Sequence, residues 1–242
     1  MVSKGRMSGV FITGTDTGVG KTVVTAAVVH ALRRDGIDAV GMKPVATGRD
    51  REVTTSAAAT AKSLDAEIIA RYSCIESDEY ELVNPVFLAV EAAPYMASIM
   101  LKQEIDIGRV LRAYRRLKER HEFIVVEGIG GVMVPIKRDY YVLDLIKDLK
   151  LPALIVARAR LGTINHTLLT VEACRRRGIE VVGIVMNMID YSNPVEANAG
   201  DIIHELSNIP IIGSIPYIKD MADDKDKIPS IAKYIRYELL LT

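Results

Sequence analysis

The sequence predicts a three-layer α/β fold, a mainly parallel sheet of about seven strands with helices on both faces, as a single domain over residues 8–242 behind a short extension, residues 1–7. Three observations carry that expectation. Short, nearly continuous apolar runs recur along the chain, the pattern of strands buried on both faces. Amphipathic stretches with helix start and stop signals separate them, as the crossovers of a parallel sheet require. A glycine-rich loop joins the first apolar run to the first helical stretch.

Taken in order, residues 10–12 read as a buried strand, and Lys21–Arg34, rich in Ala and Val and closed by Gly36, as a helix. Residues 38–45 hold a second strand, and the Ala-rich residues 54–70 a helix. Residues 84–97 carry Pro85 and Pro94 and read as a loop and then a short helix. Asp106 caps a helix whose Ile107, Val110, Leu111, Tyr114 and Leu117 share one face. Residues 123–126 form a third strand, ending in Glu127-Gly128-Ile129-Gly130-Gly131. Residues 141–149 are helical, 153–157 a strand, 165–177 a helix stopped by Gly178, and 181–186 a strand. Asn193-Pro194 starts a helix running to 206 as cap and first-turn proline. A strand at 211–215 and a helix at 231–241 complete the chain.

Composition narrows the function classes. The 242 residues hold 31 Lys plus Arg against 31 Asp plus Glu. A net charge of zero argues against an indiscriminate nucleic-acid binder but leaves room for a local basic pocket. With 49% hydrophobic and 26% charged residues, the chain is globular rather than disordered. Cys74 and Cys174 form neither a disulfide framework nor a zinc spacing, which points to a reducing, cytoplasmic setting. No apolar run approaches the ~20 residues of a membrane span. Trp is absent, so ring stacking falls to Tyr, Phe or the backbone.

The chemistry starts at Gly14-Thr15-Asp16-Thr17-Gly18-Val19-Gly20-Lys21-Thr22. Between a strand and a helix this is a P-loop: glycines let backbone N–H groups converge on phosphate oxygens, and the helix points its positive end at the same place. Lys21 would neutralise phosphate charge and the Thr22 hydroxyl would hold Mg²⁺. The loop is one residue longer than the common form, with Thr15 where a glycine usually stands. Asp16 stands five residues before Lys21, where partitioning ATPases of this broad fold carry a lysine, which argues against a dimerisation-switch ATPase. Lys43 closes a buried strand before Pro44, at the carboxyl end of the sheet where open α/β folds bind ligands. Glu127, just before a glycine run, suits an Mg²⁺ ligand, and Gly128 and Gly130 allow close backbone approach.

The loop GTDTGVGKT (14–22), KPVATG (43–48), VVEGIGG (125–131) and LGTINHTLLT (161–170), in this order, resemble the dethiobiotin synthetases. That family closes a cyclic urea from 7,8-diaminopelargonate and CO₂, using ATP and Mg²⁺ and releasing ADP and phosphate. The resemblance implies a homodimer, with Lys43 and Lys21 catalytic. It implies ATP binding by Gly18, Val19, Gly20, Lys21, Thr22, Val23, Glu127, Gly128 and Gly130, with Asn187, Pro216, Tyr217 and Ile218 on the nucleobase side. Substrate contacts would come from Lys43, Thr47 and Gly130, and from Gly162, Thr163 and Asn165 at a helix start that reaches the substrate carboxylate across the dimer. Thr22 and Glu127 would bind metal together with an upstream Asp. The stretch taken to match that Asp, residues 55–58, has no carboxylate, so Asp50 or Glu52 would stand in as the third ligand, or water would complete the metal shell. A further departure is Gly18, where some members carry Glu. Two other readings compete: a nucleotide-binding regulatory ATPase without ligase activity, and the ATP domain of a cobyrinate-type amide synthetase, for whose glutaminase domain this chain has no room.

Overall fold

Val10 and Ile12 turn to one face of the first strand and Phe11 to the other, and all three are wholly buried. Burial on both faces is what a central strand of a layered α/β sheet requires. A computed structural model of the chain describes residues 7–48, 63–75, 79–219, 221 and 227–241. The first half runs β1 (Gly9–Gly14), α1 (Lys21–Arg34), β2 (Ala39–Met42), β3 (Val45–Thr47), α2 (Leu64–Ser73), α3 (Tyr80–Val83), β4 (Val86–Leu88), α4 (Pro94–Leu101) and α5 (Ile107–Arg120). The second runs β5 (Phe123–Gly131), β6 (Pro135–Lys137), β7 (Tyr140–Tyr141), α6 (Val142–Leu149), β8 (Ala153–Arg158), α7 (Thr163–Arg176), β9 (Val181–Ile189), α8 (Pro194–Ala197), α9 (Ala199–Ser207), β10 (Ile211–Pro216) and α10 (Ile228–Ile231). Two 3₁₀ turns follow, at Ala232–Tyr234 and Tyr237–Leu241.

The main sheet has six strands among the described residues, in the order β10-β9-β8-β1-β5-β2, and every neighbouring pair is parallel. Six rather than about seven results because the extra strands pair among themselves: β3 with β4 in parallel and β6 with β7 antiparallel. One face of the sheet packs on α1 and α10 through Val24, Val28, Leu32 and Ile231. The other packs on α5, α6 and α7 through Val110, Leu117, Ile146 and Val171.

Where local signals were strong, sequence and structure coincide. Helix α1 has the expected limits despite its many β-branched valines, because their burial outweighs a weak local preference. Asp106 caps α5 by accepting the Arg109 N–H at 3.0 Å. Elsewhere the structure differs. The second strand stops at Met42, because Pro44 has no N–H to continue the ladder. The expected helix 54–70 is seen as α2, 64–73, with Ser63 as N-cap; residues 54–62 lie outside those described. The loop expected in 84–97 contains β4. The third strand runs on to Gly131, so Glu127 lies within it. The helix from Pro194 breaks at Asn198 into α8 and α9. The last helix breaks at Ile235, whose extended backbone bridges to Gly213.

Candidate active site

Strands β1 and β5 end side by side, Gly14 paired with Gly131, so the P-loop and the glycine run share the carboxyl edge of the sheet. Gly20 is the N-cap of α1 at φ +93°, with no side chain capping it, and the first turn has no acidic residue. The free N–H groups and positive end of a 14-residue helix therefore face the loop. A Cβ on Gly20 would sit 2.1 Å from the Asn187 amide nitrogen, so glycine is required there by space as well as by φ.

Four ionisable or hydroxylic side chains from separate segments meet beside the loop. The Lys43 ammonium is 2.5 Å from Glu127 Oε1 and 2.8 Å from Asp65 Oδ2, and it donates to the Gly128 carbonyl at 3.3 Å. The Thr22 hydroxyl donates to Glu127 Oε1 at 3.0 Å and is also in hydrogen-bonding reach of Asp65. Lys43 and Glu127 are buried, at 2% and 1% exposure, while Lys21, nearby, donates to the Asp16 carbonyl at 2.9 Å. Burial depresses the Lys21 ammonium to about 8, only partly opposed by Glu127. Burial also pulls on Lys43, but Glu127 and Asp65 outweigh it and hold that ammonium above its ordinary value. Burial raises Asp65, yet the Lys43 charge and its hydrogen bonds hold it below the carboxylate range. The second oxygen of Glu127, Oε2, is buried and has no hydrogen-bond partner among the described residues. Two carboxylates and a hydroxyl beside a phosphate-binding loop, one oxygen unsatisfied, make a donor set that fits a hard divalent cation.

Asp65 is the residue that the sequence reading missed. Asp50, Glu52 and residues 55–58 lie outside the described residues, and a second carboxylate in contact with Lys43, beside Glu127, comes from the first turn of α2. The signal was present in Ser63-Leu64-Asp65-Ala66-Glu67: a serine whose hydroxyl accepts the Ala66 N–H, then two acidic residues in the first turn. The Ala-rich stretch ahead of it drew the expected helix start upstream.

The other expected site residues fall in three places. Thr47 lies on β3, paired in register with Leu88. Gly130 sits at φ +58°, where a Cβ would come within 2.6 Å of a Val134 methyl. Gly162 is the N-cap of α7 at φ +93°, and buried Thr163 is its first residue, its hydroxyl without a hydrogen-bond partner among the described residues. Asn165 is exposed inside α7 and does not cap it, because Gly162 has already turned the chain. A cleft of about 560 Å³ opens at the ends of β8, β9 and β10, lined in part by Arg158, Met188, Tyr191, Pro216 and Tyr217. Ile218 packs against the core instead, and Val23 does likewise in α1. The Asn187 amide is tied to the P-loop: Nδ2 donates to the Val19 carbonyl at 2.8 Å, while Oδ1 accepts the Met188 N–H at 2.9 Å. That side chain therefore clamps the P-loop at Val19.

The AAA domain family matches residues 8–225. The chain is 39% identical over 217 residues to the ATP-dependent dethiobiotin synthetase BioD of Nitrosopumilus maritimus, covering 90% of this chain and 92% of that one. It is 39% identical over 225 residues to the protein of the same name from Methanocaldococcus jannaschii, covering 90% and 99%. The chain belongs to the ATP-dependent dethiobiotin synthetase family. As a member of that family it is an ATP-dependent ligase of biotin synthesis. Among solved structures, a ParA family ATPase from Chlorobium tepidum TLS superposes with a TM-score of 0.60 at 16% identity, covering 96% of this chain and 97% of that one. The MinD cell division protein of Aquifex aeolicus gives 0.57 at 19% identity, covering 97% and 94%. At those identities the likeness is one of fold. This chain thus shares a scaffold with those two proteins. No helix among the described residues is long and apolar enough to cross a membrane.

Proposed function

We propose that this chain, as one ATP-binding unit over residues 8–242, closes the ureido ring of dethiobiotin from 7,8-diaminopelargonate and CO₂ in the cytoplasm. The observation that carries the reading is the convergence of two buried ammonium groups, Lys21 and Lys43, beside a phosphate-binding loop. Both a carbamate and the γ-phosphate of ATP are anions, and holding them together in a dry site requires placed cations. The diamine takes up CO₂ as a carbamate. The carbamate oxygen attacks the γ-phosphorus and ADP leaves; the second amine then attacks the carbamoyl carbon and phosphate leaves.

The loop from Gly18 to Thr22 and the start of α1 bind the triphosphate, with Lys21 on its terminal phosphates. Lys43 faces the carbamate, oriented by Glu127 and Asp65. Thr22, Glu127 and Asp65 hold Mg²⁺, which when bound neutralises phosphate charge. Thr47 and the backbone at Gly130 line the diamine. The cleft at β8–β10 receives the nucleobase, with Pro216 and Tyr217 at its wall. The start of α7, with Gly162, Thr163 and Asn165, receives the substrate carboxylate from a second copy of the chain. Leu161 beside it is 87% exposed and Leu169 is 61% exposed, which supports a partner surface there.

The deciding assay measures ATP turnover with and without each co-substrate. Turnover that depends on both diaminopelargonate and bicarbonate is expected. Turnover indifferent to the diamine would favour a regulatory ATPase and overturn the ligase reading.

A further inference from the structure

Lys43 and Asn84 each precede a proline, Pro44 and Pro85. Neither proline has an N–H, so neither can extend a ladder. Strand β2 leaves the main sheet at Met42, and the chain re-enters pairing at Val45 opposite Val86. Between those points the backbone of Lys43 lies outside both ladders and is buried. Its N–H donates to the Val83 carbonyl at 2.8 Å. Its carbonyl accepts a hydrogen from the Asn84 side-chain amide at 2.7 Å, and the same nitrogen donates to the Val86 carbonyl at 3.2 Å. Asn84 is itself 9% exposed and ends α3, where its N–H donates to the Tyr80 carbonyl. Both backbone groups of Lys43 are therefore held by the two residues that lead into β4. The Asn84 amide thus donates to two backbone carbonyls, those of Lys43 and Val86.

We propose that Asn84 is a positioning residue for the ligase reaction, setting the backbone of Lys43 so that its ammonium reaches Glu127 and Asp65. This rests on the assignment of Lys43 to the reacting carbamate. Asn84 touches no ion of the site itself and acts through Lys43 alone. The amide is needed as a double donor, since two carbonyl oxygens face it and a carboxylate of the same size would offer them only acceptors.

The test compares Asn84→Asp and Lys43→Met with the parent protein in steady-state turnover, ATP binding by calorimetry and thermal unfolding. Asn84→Asp is expected to lower kcat by about 10²-fold, the scale of a small misplacement of a catalytic group. Its KM and Kd for ATP should stay at parent values, since the P-loop does not use Asn84. A parent-like kcat in Asn84→Asp, with Lys43→Met inactive, overturns the role of Asn84 and leaves that of Lys43 standing. A parent-like rate in Lys43→Met overturns the reading beneath it. An equal loss of ATP affinity and kcat in Asn84→Asp means general disruption and also overturns the proposal. If Asn84→Asp does not fold, Asn84→Ser carries the test with a single remaining donor. An intermediate fall in kcat at unchanged ATP affinity supports the proposal, and a parent kcat overturns it.

Discussion

Lys43 stands one residue past Met42 and Glu127 one past Val126, and Met42 pairs with Val126 in the β2–β5 register. The 2.5 Å contact between the Lys43 ammonium and the Glu127 carboxylate is therefore set by strand register, across 84 residues of sequence. A slip of one residue would turn either side chain to the other face of the sheet.

Removing the charge at that contact should stop ring closure while leaving nucleotide binding in place. Lys43→Met keeps most of the volume, and the buried Glu127 takes up a proton once its partner is gone. Dethiobiotin formation is expected to fall by about 10²–10³-fold, the usual scale for one electrostatic stabiliser. Product formation by mass spectrometry, beside calorimetric ATP binding, separates the two effects.

Asp65 rather than Asp50 should govern metal dependence. Asp65→Asn removes a carboxylate that touches Lys43 and lies near Thr22. The Mg²⁺ concentration for half-maximal turnover should rise by about tenfold or more in that variant, the scale seen when an ordered metal site loses support. Asp50→Asn should leave the Mg²⁺ titration where it was. The opposite ranking would return the third ligand to Asp50.

Lys21 should give nucleotide affinity and stability opposite pH trends. Its ammonium is depressed to about 8 by burial, against 10.5 for the ordinary group. Above pH 8 the nucleotide-free protein loses this cation, so ATP affinity should fall between pH 7 and 9. Across pH 8 to 10.5 the unfolded chain holds the proton that the folded chain has released. Stability of the nucleotide-free protein should therefore gain a rising contribution from Lys21 in that window. ATP binding near pH 8 should take up a proton, read as an enthalpy that varies with buffer ionisation, and Lys21→Met should abolish that variation.

Asn187→Ala distinguishes a loop clamp from a base contact. The variant frees the Val19 carbonyl, and losing one such buried hydrogen bond weakens a site by about 1–3 kcal/mol. ATP and GTP should lose affinity by the same factor, leaving their ratio unchanged. A changed ratio, measured by competition binding, would assign Asn187 a nucleobase contact.

Self-association should depend on the surface beside α7. Leu161→Asp places a charge on an exposed apolar position next to Gly162. Sedimentation velocity is expected to show the parent as a dimer and the variant shifted toward monomer, with a raised KM for the diamine and an unchanged Kd for ATP.

Sequence alone determined the features that rest on local chemistry. The limits of α1 and the cap of α5 follow from residues within a few positions of one another, which the 3.6-residue period and capping rules read directly. The alternation of apolar runs with helices carried the fold class, and the motifs carried the family. Tertiary structure alone decided relationships between distant segments. It brought Asp65 from α2 to Lys43, added two small two-stranded sheets beside the main one, and turned the Asn187 amide to the P-loop across 168 residues. It also used Asn84 to satisfy a carbonyl that Pro44 and Pro85 leave outside the ladders. The reason is physical. A cap or a helix face is settled by nearest neighbours, whereas the partner of a buried polar group is whichever group the packed sheet and helices bring within 3 Å, and no local pattern names it.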